Sequence, residues 1–372
     1  MTAALRRLKA APSRLALGAF VPARTAGWPE GTRLFVVGDG RGWSIDDDRS
    51  RLTATARRLG YEVAPTAWAR HARRQAVFNH DHFGVLQPRW LDSSHRLGLS
   101  YFHGRPGTPG YPEFDRAYEA LRRNASRIDR VQVTHLEMHD LVTAAGVPSD
   151  KVFRIPIGVE LERFPLGDDE ARTTARAALD VPASAFVVGS FLKDGVGMDD
   201  GLEPKLLKGP DTFVAVVSRL HDEIPELLVL LTGPARGYVK RELDRLGIPY
   251  RHVVLGSRAE LARAYHATDV CLVTSRQEGG PKAVLESLAT GVSLVTTRVG
   301  QAPELVTHGE NGLLAEVDDT EALTAAVTRV YDDAQLRSRL RTAGRATAEA
   351  HAEERLDPRW AELLEGFVRR AD

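Results

Sequence analysis

The sequence predicts a two-domain α/β protein with parallel sheets. Apolar runs of strand length alternate with helical patterns along most of the 372 residues, as parallel sheets with crossover helices require. A chain of this length exceeds one comfortable hydrophobic core and fits two domains of ordinary size. The segment at 156–167, rich in Pro and Gly, separates two series of strand candidates and is predicted to link the domains.

The first half of the chain carries the first series of strand candidates. The run at 34–37 is followed by a glycine-rich loop and by a helix predicted over 49–59. Further strand candidates lie at 62–65, 76–79, 99–103, 131–134 and 152–155. We therefore predict a first α/β domain over residues 31–165, after a basic arm at residues 1–30.

The second half shows the same alternation more clearly. Strands are predicted at 186–190, 227–231, 252–255, 270–274 and 293–296, with a long helix over 321–351. These elements predict a second domain over 166–350 and a separate C-terminal helix within 351–372. That helix is amphipathic and needs an apolar partner surface. Its apolar side carries Leu356, Trp360, Leu363, Leu364 and Phe367.

Composition excludes several classes of protein. With 43% apolar and 27% charged residues, the chain is globular rather than disordered. Lys+Arg and Asp+Glu are both 50, so the basic surplus usual in nucleic-acid binding proteins is missing and we expect no nucleic-acid partner. The single cysteine, Cys271, allows no disulfide framework within the chain, and we expect a reducing, cytoplasmic location.

The N-terminal arm is basic. Its apolar stretch at 15–21 is much shorter than the roughly 20 residues that span a bilayer, and no clean signal-peptide cleavage site follows. The arm is therefore either a loose extension or a weak anchor at the inner membrane surface, where basic residues meet anionic lipid. The basic residues that precede the first acidic residue are Arg6, Arg7, Lys9, Arg14 and Arg24.

The loop after the first strand contains Gly38, Gly40 and Gly42. A dinucleotide fingerprint needs a further glycine at position 43, which is Trp43, and an acid after the second strand, which is missing. NAD binding is therefore not predicted. The glycines still allow a ligand at this strand end to approach the backbone closely. The acids at 46–48 are interpreted as the start of a helix rather than a metal site.

Histidine pairs were the other candidates for a metal site. His135 and His139 share one helix face, but the acid between them is misplaced for H-E-x-x-H and no third ligand is evident. Exposed or capping histidines are the simpler interpretation, and His80 and His82 are ambiguous in the same way. We expect no metal ion and no other cofactor.

The segment at 269–286 carries the strongest signal of a ligand site. A buried strand leads into a turn with Glu278, and then Gly279 and Gly280 precede a helix that we expect to begin at Pro281. A helix N-terminus with glycines offers backbone N–H groups and a positive dipole end to phosphate. Glu286 lies further along the helix, so the two acids are placed to contact opposite ends of one ligand. The alternative is a helix with ordinary acidic residues at its start.

This segment resembles the E-x7-E signature of the retaining family 4 glycosyltransferases, which have the GT-B fold. Further motifs strengthen the resemblance, which covers residues 155–335 well and the first half only in outline. They are S-R-Q-E-G at 275–279, G-V-S-L-V-T-T at 291–297, A-P-E-L-V at 302–306, G-E-N-G-L-L at 309–314, I-G-V-E at 157–160, R-F at 163–164 and K-G at 208–209. Ser293 departs from the usual proline of the family.

The resemblance implies two Rossmann-like domains that face each other across a cleft, with the C-terminal helix crossing back to the first domain. A nucleotide-sugar donor would bind the second domain and a hydroxyl acceptor the first, with the glycine-rich loop on the acceptor side and without a metal. Glu278 and Lys208 would act in catalysis with His103, which lies at the end of the first-half strand predicted at 99–103. Donor contacts would come from Lys208, Glu278, Gly279, Gly280, Pro281 and Glu286, with Lys193 or Lys205 replacing an arginine of the family.

Two other classes of function stay open at this point. One is a nucleotide-sugar epimerase on the same fold, which would release sugar without an acceptor. The other is a non-catalytic carbohydrate-binding protein, which would have no reason to keep Glu278, Glu286 and Lys208 together. Neither the sugar, the base nor the acceptor is encoded in a pattern that we can interpret.

Overall fold

The computed structural model describes residues 25, 27–38, 40, 44–197, 199–256 and 258–370. Most of the predicted basic arm lies outside these residues, as does Gly42 of the glycine-rich loop. Among the described residues, no helix is both long enough and apolar enough to cross a membrane.

Two parallel sheets of six strands each form the molecule, and this confirms the predicted fold class. The first sheet has the order β2-β1-β3-β4-β5-β6, and the second has the order β12-β11-β10-β7-β8-β9. The strands of the first sheet are β1 Arg33–Val37, β2 Glu62–Val63, β3 Ala76–Asn79, β4 Arg96–Ser100, β5 Arg130–Val133 and β6 Val152–Arg154. The strands of the second sheet are β7 Phe186–Ser190, β8 Leu227–Thr232, β9 Tyr250–Val253, β10 Val270–Val273, β11 Ser293–Thr297 and β12 Leu313–Ala315.

Helices connect the parallel strands, as crossover connections require. In the first half they are α1 Ser44–Arg58, α2 His82–Val85, α3 Pro88–Leu91, α4 Pro112–Arg123 and α5 Leu136–Ala144. In the second half they are α6 Asp169–Ala178, α7 Pro210–Glu223, α8 Gly237–Leu246, α9 Arg258–His266, α10 Lys282–Thr290, α11 Ala302–Leu305, α12 Thr320–Asp332, α13 Ala334–Ala350 and α14 Asp357–Leu364.

Several sequence-based assignments differ from the structure, among them the strand predicted at 252–255, which is β9 at Tyr250–Val253. The strand predicted at 99–103 is β4, which begins at Arg96 because Arg96 and Leu97 pair with Ala76 and Val77 of β3. The long helix predicted over 321–351 is divided into α12 and α13, since the Asp333 side chain accepts a hydrogen bond from Leu336 N (2.8 Å) and caps a new helix. Strand β12 was not predicted, because its short apolar run follows a turn and offers no alternation.

The chain crosses between the two halves twice, at adjacent points. Val159 in the first crossing forms a parallel bridge with Ala352 in the second. Gly158 packs so closely that a Cβ there would lie 3.0 Å from His351 O. From the first half, Arg51 of α1 contacts both crossings, through Glu353 (2.6 Å) and Glu160 (3.5 Å). The two crossings therefore form one paired connection rather than two independent linkers.

The C-terminal helix α14 packs on the first sheet, as its amphipathic pattern required. Trp360, Leu363 and Phe367 are buried in one cluster with Leu34 and Phe78 of the first half. Helix burial of this kind is driven by the apolar area removed from water. The C-terminal helix thus packs on the first half, which confirms the predicted crossing back.

Candidate active site

The loop at 274–280, which follows β10, is anchored to the second half of the molecule. Arg276 N and Gln277 N both donate to Leu207 O, at 2.8 and 3.2 Å. On its other side, Thr297 Oγ1 donates to Ser275 O (2.6 Å). These bonds hold the loop at the carboxyl edge of the second sheet, where ligands of open α/β sheets usually bind.

The same loop also contacts the carboxyl edge of the first sheet. Thr134, which follows β5, donates from its hydroxyl to Gly279 O (2.7 Å). The Gln277 amide oxygen accepts from Gly104 N (3.0 Å) and Arg105 N (3.2 Å), both beyond β4. The carboxyl edges of the two sheets therefore meet at this loop, and the predicted site lies between them.

Close packing explains the glycines of the loop. A Cβ on Gly279 would lie 2.4 Å from Phe102 Cβ, and a Cβ on Gly280 would lie 2.7 Å from Gln301 Cδ. The prediction that the helix begins at Pro281 is wrong. The backbone of Pro281 is extended, with a ψ of 112°, and Pro281 precedes α10 as its N-cap. Gly291 ends α10 with φ 79°, as the sequence indicated.

Lys208 and Glu278, which the sequence placed in one site, form an ion pair. Glu278 is 8% exposed and also accepts a hydrogen bond from Ser275 Oγ (3.0 Å). Lys208 reaches it because the next residue, Gly209, packs against the end of β10, where a Cβ would lie 2.0 Å from Thr274 O. The buried carboxylate therefore has a charged and a neutral donor, as a buried charge requires.

Lys205 lies close to the same pair, at the end of a small hairpin. Gly195 and Pro204 form an antiparallel bridge, and Lys205 N donates to Asp194 O (2.7 Å). Burial lowers the pKa of the Lys205 ammonium, and the charge of Lys208 lowers it further. Both Lys193 and Lys205 flank Asp194 in this hairpin, so the structure brings both candidate lysines to the same side of the second sheet.

A buried ion pair that the sequence did not reveal holds this hairpin in place. Arg236 contacts Asp194 at 2.9 Å, and both side chains are almost completely buried. Arg236 also donates to Ser190 O (2.8 Å) and Ser190 Oγ (3.0 Å) at the end of β7 and to Thr232 O (3.2 Å) at the end of β8. Burial raises the pKa of the Asp194 carboxyl, and the Arg236 guanidinium opposes that shift.

Glu286 lies inside α10 and is buried. Its Oε2 accepts a hydrogen bond from Tyr265 OH (2.9 Å). Tyr265 packs edge-on against Phe191, which follows β7, with ring centroids 4.5 Å apart. Tyr265 was not predicted, since a tyrosine near the end of a helix carries no sequence signal of a distant carboxylate.

His103 lies across from Lys208 and Lys205, on the first half. Its imidazole packs edge-on against Phe114, with ring centroids 5.6 Å apart. Burial, and then the charges of Lys208 and Lys205, lower the pKa of His103 to about 3. The imidazole is therefore neutral at neutral pH.

The glycine-rich loop after β1 is tied to the start of α1. A Cβ on Gly38 would lie 2.3 Å from Asp46 Oδ1, and Gly40 N donates to the same oxygen (3.3 Å). The two residues that follow, Asp47 and Asp48, pair with Lys282 Nζ of α10, at 3.4 and 3.0 Å. These acids therefore join the two halves, and Lys282 is a further residue of the cleft that the sequence did not single out.

The histidine pair at 135 and 139 is divided by burial. His135 is buried, and its Nδ1 lies 2.9 Å from Thr134 Oγ1. Because that hydroxyl donates to Gly279 O, it accepts from His135 Nδ1–H. His139 is half-buried beside Asp140. Within the described ranges, no group of three or more His, Cys, Asp or Glu side chains is arranged to hold a metal ion.

Comparison with known proteins identifies the family. The family model for glycosyl transferases group 1 matches residues 202–333. The GDP-mannose-dependent alpha-(1-6)-phosphatidylinositol monomannoside mannosyltransferase of Mycolicibacterium smegmatis is 30% identical over 270 residues, which are 69% of this chain and 67% of that protein. The chain belongs to the group 1 glycosyltransferases.

Other members of the group 1 glycosyltransferases are similar over shorter parts. The D-inositol 3-phosphate glycosyltransferase of Corynebacterium jeikeium is 30% identical over 68% of this chain and 61% of its own length. The enzyme of the same name from Corynebacterium glutamicum is 29% identical over 56% of this chain and 50% of its own length. This chain thus spans about half to three-fifths of the length of these relatives.

Solved structures confirm the GT-B fold. HepE of Anabaena, solved with UDP and glucose, superposes with a TM-score of 0.72 over 90% of this chain and 100% of that chain, at 17% identity. Sucrose-phosphate synthase of Thermosynechococcus elongatus superposes with a TM-score of 0.68 over 91% of this chain, at 18% identity. Identities at this level establish the shared fold and carry no assignment of substrate.

The buried Arg236–Asp194 pair yields a prediction about stability. Arg236→Met leaves the Asp194 carboxylate buried without its counter-charge, and we expect it to lower the free energy of unfolding by about 3–5 kcal/mol. Replacing both partners, as Asp194→Leu with Arg236→Met, removes the stranded charge and should recover most of that loss. Urea unfolding followed by circular dichroism measures the difference.

The control is Arg241→Met, which alters an exposed arginine of the same helix and should shift the unfolding midpoint very little. A double variant as unstable as Arg236→Met alone would contradict the account of the pair.

Proposed function

We propose that this chain is a retaining, metal-independent glycosyltransferase that moves a sugar from a nucleotide-sugar donor to a hydroxyl acceptor. The observation that carries the proposal is the cluster of half-buried Lys208 with buried Glu278 and Ser275 at the carboxyl edge of the second sheet, facing His103 on the first half. The membership of the group 1 glycosyltransferase family supports it.

Cations at this edge suit a nucleoside diphosphate. Lys208 and Lys205 lie close enough to influence each other, and Lys193 adds a third positive charge to the same surroundings. The N-terminus of α10, after Gly279, Gly280 and Pro281, adds the positive end of a helix dipole. We assign the donor diphosphate to this region, where the positive charges stabilise the leaving group as the glycosidic bond breaks.

Glu286 is assigned to the ribose of the donor. Its position inside α10, beyond the helix start, places it on the far side of the proposed diphosphate site. The hydrogen bond from Tyr265 holds the carboxylate in one orientation. A carboxylate that accepts from ribose hydroxyls forms charge-assisted hydrogen bonds in the ground state and the transition state alike, so it contributes to affinity rather than to turnover.

Glu278 is assigned to the transferred sugar. In the structure it is neutralised by Lys208 and oriented by Ser275. When a diphosphate binds Lys208, Glu278 keeps the Ser275 hydrogen bond and accepts from sugar hydroxyls near the anomeric carbon. This exchange of partners connects donor binding to the orientation of the reacting sugar.

The acceptor is assigned to the first half of the cleft. His103 is neutral and accepts or donates a hydrogen bond there, and Gly38 and Gly40, whose loop we predicted to lie on the acceptor side, belong to the same half. The names of the relatives include D-inositol 3-phosphate and a phosphatidylinositol monomannoside, both of which bear hydroxyl groups. A hydroxyl-bearing acceptor is consistent with these names.

Stereochemistry and metal dependence can be tested together. The lysines and the helix dipole take the role that a divalent cation has in other transferases, so we expect full turnover in excess EDTA. We also expect the first-formed product to keep the anomeric configuration of the donor. Proton NMR of products from a panel of UDP- and GDP-sugars with polyol acceptors measures both. Activity that is lost in EDTA and restored by Mg²⁺, or an inverted linkage, would contradict this part of the proposal.

The division of labour between the two glutamates gives a sharper test. Glu286→Gln should weaken binding of the free nucleoside diphosphate about 10- to 150-fold, the equivalent of about 1.5–3 kcal/mol for one charge-assisted hydrogen bond. Glu278→Gln should lower kcat by about 10²–10³-fold and change nucleoside diphosphate binding much less, because that ligand lacks the sugar. Calorimetric titration and a turnover assay measure the two effects.

Glu321→Gln, at an exposed glutamate of α12, is the matched control and should change neither quantity. Reversed effects would exchange the two roles. Donor breakdown that does not respond to any acceptor would favour an epimerase or hydrolase, and normal activity in both variants would contradict the proposed function itself.

A further inference from the structure

We propose that Gln277 is a positioning residue that couples the donor side of the cleft to the acceptor side. The inference rests on the proposed function and assigns a role to a residue outside the two-glutamate signature. Gln277 directly precedes Glu278, and its side chain binds the backbone that directly follows His103. One side chain therefore connects the two groups that we assign to the donor sugar and the acceptor.

The Gln277 amide is matched to its surroundings at both ends. Its oxygen accepts from two successive N–H groups, those of Gly104 and Arg105, and its nitrogen donates to Thr108 Oγ1 (3.1 Å). Thr108 in turn donates its hydroxyl proton to Arg105 O (2.6 Å). Towards Gln277 the hydroxyl oxygen can therefore only accept. An amide fits this pattern because it supplies an acceptor and a donor together.

Gly104 is required for the acceptor-side half of this contact. Its φ of 119° lies in a region that residues with a Cβ rarely adopt. That conformation directs the N–H groups of residues 104 and 105 to a single oxygen, in the manner of a backbone nest. The contact is therefore built into the loop conformation rather than made by a mobile surface side chain.

Both anchors of the contact are rigid. On the donor side, Gln277 N donates to Leu207 O, next to Lys208, and Arg276 pairs with Asp211 and Asp318, both at 2.7 Å. On the acceptor side, Tyr101 OH donates to Gly104 O (3.1 Å). Loss of the Gln277 side chain therefore releases the His103 side from Glu278 and changes their separation. The lysines that we assign to the diphosphate lie on the donor side and stay in place.

This geometry predicts a specific pattern of effects. Gln277→Ala should lower kcat for transfer by about 10-fold or more and leave the affinity for UDP or GDP within about twofold, because misplacement at the reacting centre affects turnover. The fraction of donor that is hydrolysed rather than transferred should rise, because the acceptor is no longer held in register. With UDP or GDP bound, hydrogen exchange of the Gly104 and Arg105 amides should be faster in Gln277→Ala than in the wild type, because the acceptor of both N–H groups is lost.

Thr108→Ala and the double variant separate this role from a general loss of stability. Thr108→Ala removes the contact to the Gln277 nitrogen and the Thr108 bond to Arg105 O, but it leaves both bonds to the Gln277 oxygen in place, so it should lower kcat less than Gln277→Ala does. The double variant should lose less than the sum of the two single losses, because the contact that Gln277 and Thr108 share can be lost only once. Additive losses in the double variant would overturn the proposal.

Glu304→Ala supplies the matched comparison, since Glu304 also joins the two halves, by accepting from Leu136 N (2.6 Å) away from Glu278. If it raises the hydrolysed fraction as much as Gln277→Ala does, the effect is one of general closure and the proposal fails. If the wild type transfers sugar and the Gln277→Ala variant has the same kcat, the proposal is also overturned. A wild type that transfers no sugar contradicts the proposed function instead, and the exchange measurement at Gly104 and Arg105 still tests the contact.

Discussion

The loop between β10 and α10 is packed on both sides by backbone, and the rest of the site depends on this constraint. Phe102 of the first half leaves no room for a Cβ at Gly279. Gly300 packs against the same loop, and a Cβ on Gly300 would lie only 2.6 Å from Gly279 O. Thr134 then fixes Gly279 O with a hydrogen bond. Because the loop is held this tightly, Glu278 has one position relative to both sheets.

Charge is arranged around that fixed carboxylate. Glu278 is buried and paired with Lys208, and Lys205 lies nearby with a pKa lowered by burial and by Lys208. Three lysines in the same surroundings, Lys193, Lys205 and Lys208, favour a ligand that carries negative charge. The Asp194–Arg236 pair, buried under the hairpin, keeps the lysines on this edge of the sheet.

The sequence predicted the fold and the local chemistry where these depend on neighbouring residues. The strand-length apolar runs, Gly291 after α10 and the Lys208–Gly209 step are local signals, and the structure places each as expected or close to it. Arg236, Tyr265 and Gln277 were not predicted, because each acts through a residue far along the chain: Asp194, Glu286 and Gly104. The exclusion of any residue with a Cβ at position 279 was not predicted either, because it depends on contact with Phe102, which is far away in the sequence.

The central claim is that Lys208 binds the donor diphosphate, and calorimetric titration of Lys208→Ala with UDP and GDP tests it most directly. We expect the affinity for the nucleotide that the wild type binds to fall by about 10- to 150-fold, as the loss of a charge-assisted contact requires. Lys240→Ala, on α8 of the same half, should leave the affinity unchanged. An unchanged affinity in Lys208→Ala would contradict the account, because the Lys208–Glu278 pair would then serve the fold alone.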